Sequence, residues 1–273
     1  MRLGQIKWRG AATAAIFNHV TARPIPDYTL YDLICRAERE GLPLAELAEE
    51  LSIAKPVAAE PLIPLKPREV WAHGSTYDTS HRERPQIFLK GTARVCVGPG
   101  QDIGIRPDSR FTAPEPELAI VLGARGRVLG YTLANDVSAW DIEREHPLYL
   151  AQSKTFHASC ALGPVIVTAD EIAADEATVC CTILRNGEEI FSGQASTEGL
   201  GIERMIEFLM RANPVPPGSV LLTGAGIAIG EDAALEAGDS VTIRAECIGE
   251  LTNFAALIAE TELSSRRAGA SSV

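Results

Sequence analysis

The sequence contains no apolar run of membrane-spanning length, and its opening stretch, MRLGQIKWRGAATAAIF, has no continuous apolar core of signal-peptide length. A cytoplasmic protein is expected on that ground. Basic residues fall short of acidic ones, 25 against 36, for a formal net charge of -11. No basic patch is available to neutralise phosphates, so nucleic-acid and acidic-membrane partners are excluded. The six cysteines, at 35, 96, 160, 180, 181 and 247, show no Cys-x-x-Cys spacing and read as small buried hydrophobes in a reducing compartment. The histidines, His19, His73, His81, His146 and His157, are scattered rather than clustered as ligands. There is no internal repeat. Lysine is scarce, five against twenty arginines. Lys7, Lys55 and Lys66 read as surface residues, whereas Lys90 and Lys154 are flanked by apolar segments, IFL and TFHASCALG.

What is present suits one catalytic domain with a smaller appendage, or two modest domains, since 273 residues are ample to bury a core. Residues 1–66 have their own texture. A two-stranded ribbon over 3–18 turns at Arg9-Gly10; then Leu30, Leu33, Ile34 and Ala37 fall at helical spacing, capped by Asp27 or Thr29 and stopped by Gly41. A second short helix carries Leu44, Leu47 and Leu51. The proline-rich PLIPLKP marks a boundary to residues 67–263, where strand patterns dominate, and the last ten residues, 264–273, are expected to be a disordered tail. Within 67–263, Asn186-Gly187 is a strong hairpin signal, Ile202 to Met210 is one amphipathic helix, and Val241, Ile243, Ala245 and Cys247 alternate as a late strand.

The chemistry concentrates between Ala113 and Pro164. Residues 118–122 and 128–134 are apolar runs joined by Gly123-Ala124-Arg125-Gly126, which predicts a hairpin. Glu115 and Glu117, two apart, share a face. With a symmetric four-residue connection Glu117 pairs with Thr132 and Glu115 with Ala134, placing Asp136 diagonally beside Glu115. Three converging carboxylates repel one another unless a cation joins them, and all-oxygen ligation suits Mg²⁺, Mn²⁺ or Ca²⁺ better than zinc. The competing reading is that both glutamates face solvent on a half-buried strand.

PEPELAIV, GYTLANDVSA, the lysine of AQSKTF, and ALGPVIV together resemble the core signature of the fumarylacetoacetate hydrolase superfamily. The flanking RPQIFLKGTARVCVGPGQDIGIRPDS and DIEREHPLYLAQSKTFHASCALGP are most similar to its 2-keto-3-deoxy-D-arabinonate dehydratase branch. The resemblance implies an α+β fold, a mixed β-roll or sandwich with few helices, behind a small α+β N-terminal domain. It also implies a homodimer or homotetramer, Mg²⁺ on Glu115, Glu117 and Asp136, Lys154 as an active-site residue, and substrate contacts at Lys90, Ser138 and Thr223. An apolar setting next to a metal is expected to lower the proton affinity of Lys154, so that it takes a C3 proton from a 2-keto acid before the C4 hydroxyl leaves. Three positions depart from the pattern: Gln86 replaces a glutamate, Trp140 an arginine, and Ala225 a threonine. His81, with Glu83, lies in the segment expected to cover the site and is a candidate base on water. Three readings follow: a dehydratase forming 2,5-dioxopentanoate, a carbon–carbon hydrolase of an acylpyruvate-like 1,3-dicarbonyl, and a non-catalytic homologue that binds metal and ligand.

Overall fold

The computed structural model describes residues 1–18, 21–74 and 84–259. His19, His81, Glu83 and the expected tail at 264–273 lie outside the described residues. The N-terminal ribbon is β1 (Arg2–Trp8) against β2 (Ala11–Asn18), followed by β3 (Thr21–Pro24), α1 (Leu30–Glu40), α2 (Leu44–Leu51) and β4 (Val57–Ala58). Of the two caps considered for α1, Thr29 is used: its side chain accepts from the Asp32 amide while Asp32 reaches back, and Gly41 closes the helix at φ 68°.

Short strands then frame the site: β5 (Val70–Gly74), β6 (Gln86–Gly91), β7 (Cys96–Val97), β8 (Asp102–Ile105) and β9 (Thr112–Ala113). The predicted hairpin is β10 (Pro116–Leu122) and β11 (Val128–Asp136). β12 (Ser138–Ala139) leads into α3 (Trp140–Glu145) and α4 (Leu150–Lys154), two helices too short to show a period in the sequence. The rest is β13 (Cys160–Thr168), β14 (Thr178–Arg185), β15 (Glu188–Ser196), α5 (Ile202–Met210), β16 (Ser219–Leu222), β17 (Ser240–Ala245) and β18 (Gly249–Leu257). The late strand stops at Ala245, and Cys247 sits in the turn to β18 rather than on the strand.

A large mixed sheet runs β4-β3-β2-β1-β13-β11-β10-β16-β5-β6, with β7 also on β13; a five-stranded sheet runs β15-β14-β17-β18-β8. Alternation along β10 buries both of its faces. Leu118 and Ile120 join Ile183, Val241 and Ile243 in the core between the sheets, while Ala119 and Val121 join Leu30, Leu33, Ile34 and Leu47 under α1 and α2. This is the expected α+β sandwich with few helices. Because β1 pairs with β13 at Leu3 and Ile166, the N-terminal strands continue the sheet that holds the site.

The hairpin register differs from the symmetric expectation. Glu117 lies opposite Ala134, and Thr132 opposite Ala119. The connection is three residues, closed by the Gly123 amide on the Arg127 carbonyl at 2.7 Å, with Arg125 and Gly126 at φ 57° and 76°. A bulge at Leu129 adds a second shift of one in the same direction. Two such shifts restore the parity of the pleat, so the carboxylates still share a face.

Candidate functional site

Glu115 immediately precedes β10, Glu117 is its second residue, and Asp136 ends β11. The Asp136 amide donates to the Glu115 carbonyl at 2.9 Å, which sets the two side chains opposite each other. Carboxylate oxygens from all three residues lie within 4.8 Å of one another. Glu117 and Asp136 are buried, which removes the solvent-facing reading of Glu117, and the Glu115 side chain is nearly so.

Two ammonium groups enter this cluster. Lys154 Nζ is 2.5 Å from Glu115 Oε1 and 3.3 Å from Asp136 Oδ2. Lys90, fully buried at a bulge in β6, reaches Asp136 Oδ1 at 2.5 Å and donates to the Val137 carbonyl at 2.9 Å. Glu117 has neither; its Oε2 accepts from the Gly224 amide at 2.6 Å. Aromatic rings wall the lysines: Phe88 and Trp140 each lie 5.6 Å from Lys154 Nζ, and Phe156 lies 5.7 Å from Lys90 Nζ.

The proton affinities follow from these contacts. Burial, reinforced by Asp136 and Glu115, pushes the Glu117 carboxyl well above the usual carboxylate range. Burial also raises Glu115, with Lys154 opposing it. For Asp136 burial acts upward too, but Lys154 and Lys90 together hold it below its ordinary value. Lys154 feels both influences. Burial lowers its proton affinity as anticipated, yet Asp136, Glu115 and Glu143 outweigh burial and raise it overall.

The cluster fits a hard divalent cation. Its donors are all carboxylate oxygens, and the three carboxylates face only the two ammoniums, leaving Glu117 without a cationic partner among the described residues. No nitrogen or sulfur donor belongs to the group.

The remaining predicted residues take distinct places. Ser138 is buried, donates to the Asp136 carbonyl at 3.0 Å, and its hydroxyl also reaches the Glu115 carboxylate. Thr223 is buried and donates to the Leu118 carbonyl at 2.9 Å, so its neighbour Gly224 is the one that meets a carboxylate. Gln86 is exposed at the start of β6, on the same side as Phe88 and about 7 Å further along the strand. His81 lies outside the described residues. Where the family pattern has an arginine, the Trp140 ring lies against Lys154, and the Arg144 guanidinium lies 5.6 Å from the same ring.

Three residues at the site were not picked out from the sequence. Gly224 belongs to TGAG, a motif whose third position drew attention in place of its second. Asn135 accepts the Glu115 amide on Oδ1 at 3.1 Å, pinning the loop before β10. Glu143 is half-buried on α3 and accepts from Ser153 Oγ at 3.2 Å; its signal was its place three residues after Trp140 on one helical face.

With this geometry established, the chain can be set beside known proteins. Over 213 residues, 69% of this chain and 72% of the relative, it is 41% identical to the 2-dehydro-3-deoxy-D-arabinonate dehydratase of Saccharolobus solfataricus. Over 232 residues, 77% and 80% of the two chains, it is 36% identical to a probable 2-keto-3-deoxyxylonate dehydratase of Haloferax volcanii. A solved 2-keto-3-deoxy-D-arabinonate dehydratase, complexed with magnesium and 2,5-dioxopentanoate, superposes with a TM-score of 0.79 at 34% identity, covering 95% of this chain and 100% of that one. Residues 67–255 match the family described as fumarylacetoacetate (FAA) hydrolase, C-terminal. The chain belongs to the fumarylacetoacetate hydrolase family.

Proposed function

We propose that the chain is a Mg²⁺-dependent dehydratase that converts a 2-keto-3-deoxypentonate into 2,5-dioxopentanoate and water. The observation that carries this reading is the buried group of Glu115, Glu117 and Asp136 with the Lys154 ammonium set against two of its members. The two dehydratases that share 41% and 36% identity with the chain, and the relative complexed with magnesium and 2,5-dioxopentanoate, support the reaction assignment.

Glu115, Glu117 and Asp136 would hold the ion. When bound, Mg²⁺ supplies Lewis-acid stabilisation of the negative charge that develops on the 2-keto oxygen as the C3 proton leaves. With every group ionised, three carboxylates and two ammoniums sum to one net negative charge, which a dication offsets. Lys154 takes the C3 proton. It can do so once Glu115 and Asp136 are otherwise engaged, because burial then dominates and lowers its proton affinity. Lys90 holds Asp136 in place and ionised. Ser138 and Thr223 line the site, and Phe88 and Trp140 keep water from the ammonium.

We further assign the protein to the cytoplasm as a homo-oligomer. Among the described residues no helix is long and apolar enough to cross a membrane, and Leu89, Leu148, Phe254 and Leu257 are exposed apolar side chains available for contacts between copies. The hydrolase reading depends on His81 and Glu83, which lie outside the described residues, and one assay separates it. The protein is offered 2-keto-3-deoxy-D-arabinonate and acetylpyruvate side by side with Mg²⁺. Formation of 2,5-dioxopentanoate from the first supports the dehydratase; pyruvate from the second alone replaces it with the hydrolase; binding of either without turnover leaves the non-catalytic homologue.

A further inference from the structure

Removing hydroxide from C4 requires an acid, because hydroxide is a poor leaving group, and most ionisable groups at this site are already committed. Glu115, Glu117 and Asp136 form the metal group. Lys90 is fully buried against Asp136. Lys154 is the base. Gln86, at the rim, carries a carboxamide that cannot exchange a proton near neutral pH.

Among the described residues one further carboxylate acts on Lys154. Glu143 lies three residues after Trp140 on α3, hence on the same helical face, and the Trp140 ring lies 5.6 Å from Lys154 Nζ. Its Oε2 accepts from Ser153 Oγ at 3.2 Å, and Ser153 is the fully buried residue next to Lys154. It is near enough to Lys154 to raise the lysine's proton affinity. The other charged side chains of α3 are directed elsewhere. Asp141 accepts from Ser109 Oγ at 2.6 Å and from the Arg110 amide at 2.8 Å; Arg144 pairs with Glu231; Glu145 is exposed. Glu143 is half-buried, so its carboxyl is in contact with solvent.

We propose that Glu143 is the acid that protonates the departing C4 hydroxyl, a role Gln86 cannot fill; this rests on the dehydratase reading. The C3–H bond breaks and its proton passes to Lys154. The electron pair forms the C3=C4 bond, the C4–O bond breaks, and the oxygen leaves as water with the proton from Glu143. Exchange with solvent returns a proton to Glu143 and removes one from Lys154, so the sum is substrate to dehydrated product plus water.

The test is Glu143→Gln, which keeps an acceptor for Ser153 but has no proton to give. Turnover number should fall by about a hundredfold or more with KM changed by no more than about threefold. Mg²⁺ binding by calorimetry should be unchanged, and substrate recovered from D₂O should carry deuterium at C3, because the first step survives while expulsion does not. Glu143→Asp should regain part of the rate, as should adding Gln86→Glu to Glu143→Gln. Turnover of Glu143→Gln within about threefold of the unaltered protein overturns the proposal and leaves the dehydratase reading intact. Loss of C3 exchange or of Mg²⁺ binding along with turnover also overturns it, since Glu143 would then only be holding α3 against α4. Ser153→Ala guards against misfolding of the first variant: it removes the contact but not the acid, and a loss there as large as in Glu143→Gln would again mean a positioning role. An unaltered protein that forms no 2,5-dioxopentanoate overturns both readings together.

Discussion

The Glu117 carboxylate accepts a 2.6 Å hydrogen bond from the amide of Gly224, a residue 107 positions further along the chain. Among the described residues no second donor is shown to it, and burial with two carboxylate neighbours pushes its proton affinity well above the usual range. Mg²⁺ must therefore displace a proton from Glu117. Its affinity should rise with pH until the raised Glu117 carboxyl is ionised, with proton release that appears as a dependence of the binding heat on buffer ionisation enthalpy. Binding independent of both pH and buffer would contradict the assignment of Glu117 as a ligand.

Gly224 sits at φ 88°, in the left-handed region that an alanine enters only with strain. Gly224→Ala should cost about 1–3 kcal/mol of stability if the backbone holds its place. If it yields, the amide turns away from Glu117 and Mg²⁺ affinity should drop about 10- to 100-fold, as for other outer-shell partners. Denaturant unfolding and calorimetry on the same variant distinguish the two outcomes. Neither effect appearing would show that this amide does not orient the carboxylate.

Lys154 is buried between Glu115 and Asp136, so Lys154→Ala strips Glu115 of its counter-charge and leaves Asp136 with Lys90 alone. The metal-free variant should lose about 3–5 kcal/mol, the usual cost of removing one partner from a buried ion pair. Added Mg²⁺ should restore much of this, since the cation replaces the lost charge. Turnover should not return with it. Residual turnover near that of the unaltered protein would remove Lys154 as the base.

Stability should also depend on pH differently with and without metal. Glu117 has a folded-state proton affinity raised above its unfolded value, so its contribution is present at low pH and lost as pH rises through the raised value. Asp136 is lowered, so its contribution is present above its unfolded value and lost as pH falls through the lowered one. In EDTA the melting temperature should therefore decline on the alkaline side of the ordinary carboxylate range. With Mg²⁺ holding Glu117 ionised, that decline should vanish. Parallel curves in EDTA and Mg²⁺ would contradict this account.

Local signals in the chain were legible where neighbours in sequence decide the structure. Thr29 and Gly41 bound α1 as their capping chemistry predicts, and Asn186-Gly187, at φ 53° and 83°, makes the two-residue turn between β14 and β15. The shared face of Glu115, Glu117 and Asp136 was legible although the register was off by two, because only an odd slip would have separated them. Distant contacts were not legible. Nothing local indicates that Lys90 at a bulge in β6 would meet Asp136, or that the Gly224 amide would reach Glu117. The proton affinity of Lys154 likewise depends on residues distant in sequence. Burial alone lowers it, and the sign reverses only when Asp136, Glu115 and Glu143 are brought around it.

The central claim, that Glu115, Glu117 and Asp136 hold the ion on which dehydration depends, is tested most directly by adding Mg²⁺ back to protein stripped with EDTA. Calorimetric binding and the rate of 2,5-dioxopentanoate formation from 2-keto-3-deoxy-D-arabinonate are followed in parallel. The account predicts that both rise together and saturate at one ion per chain, and that Glu117→Gln abolishes both. Undiminished product formation by the stripped protein, or by Glu117→Gln, would contradict it.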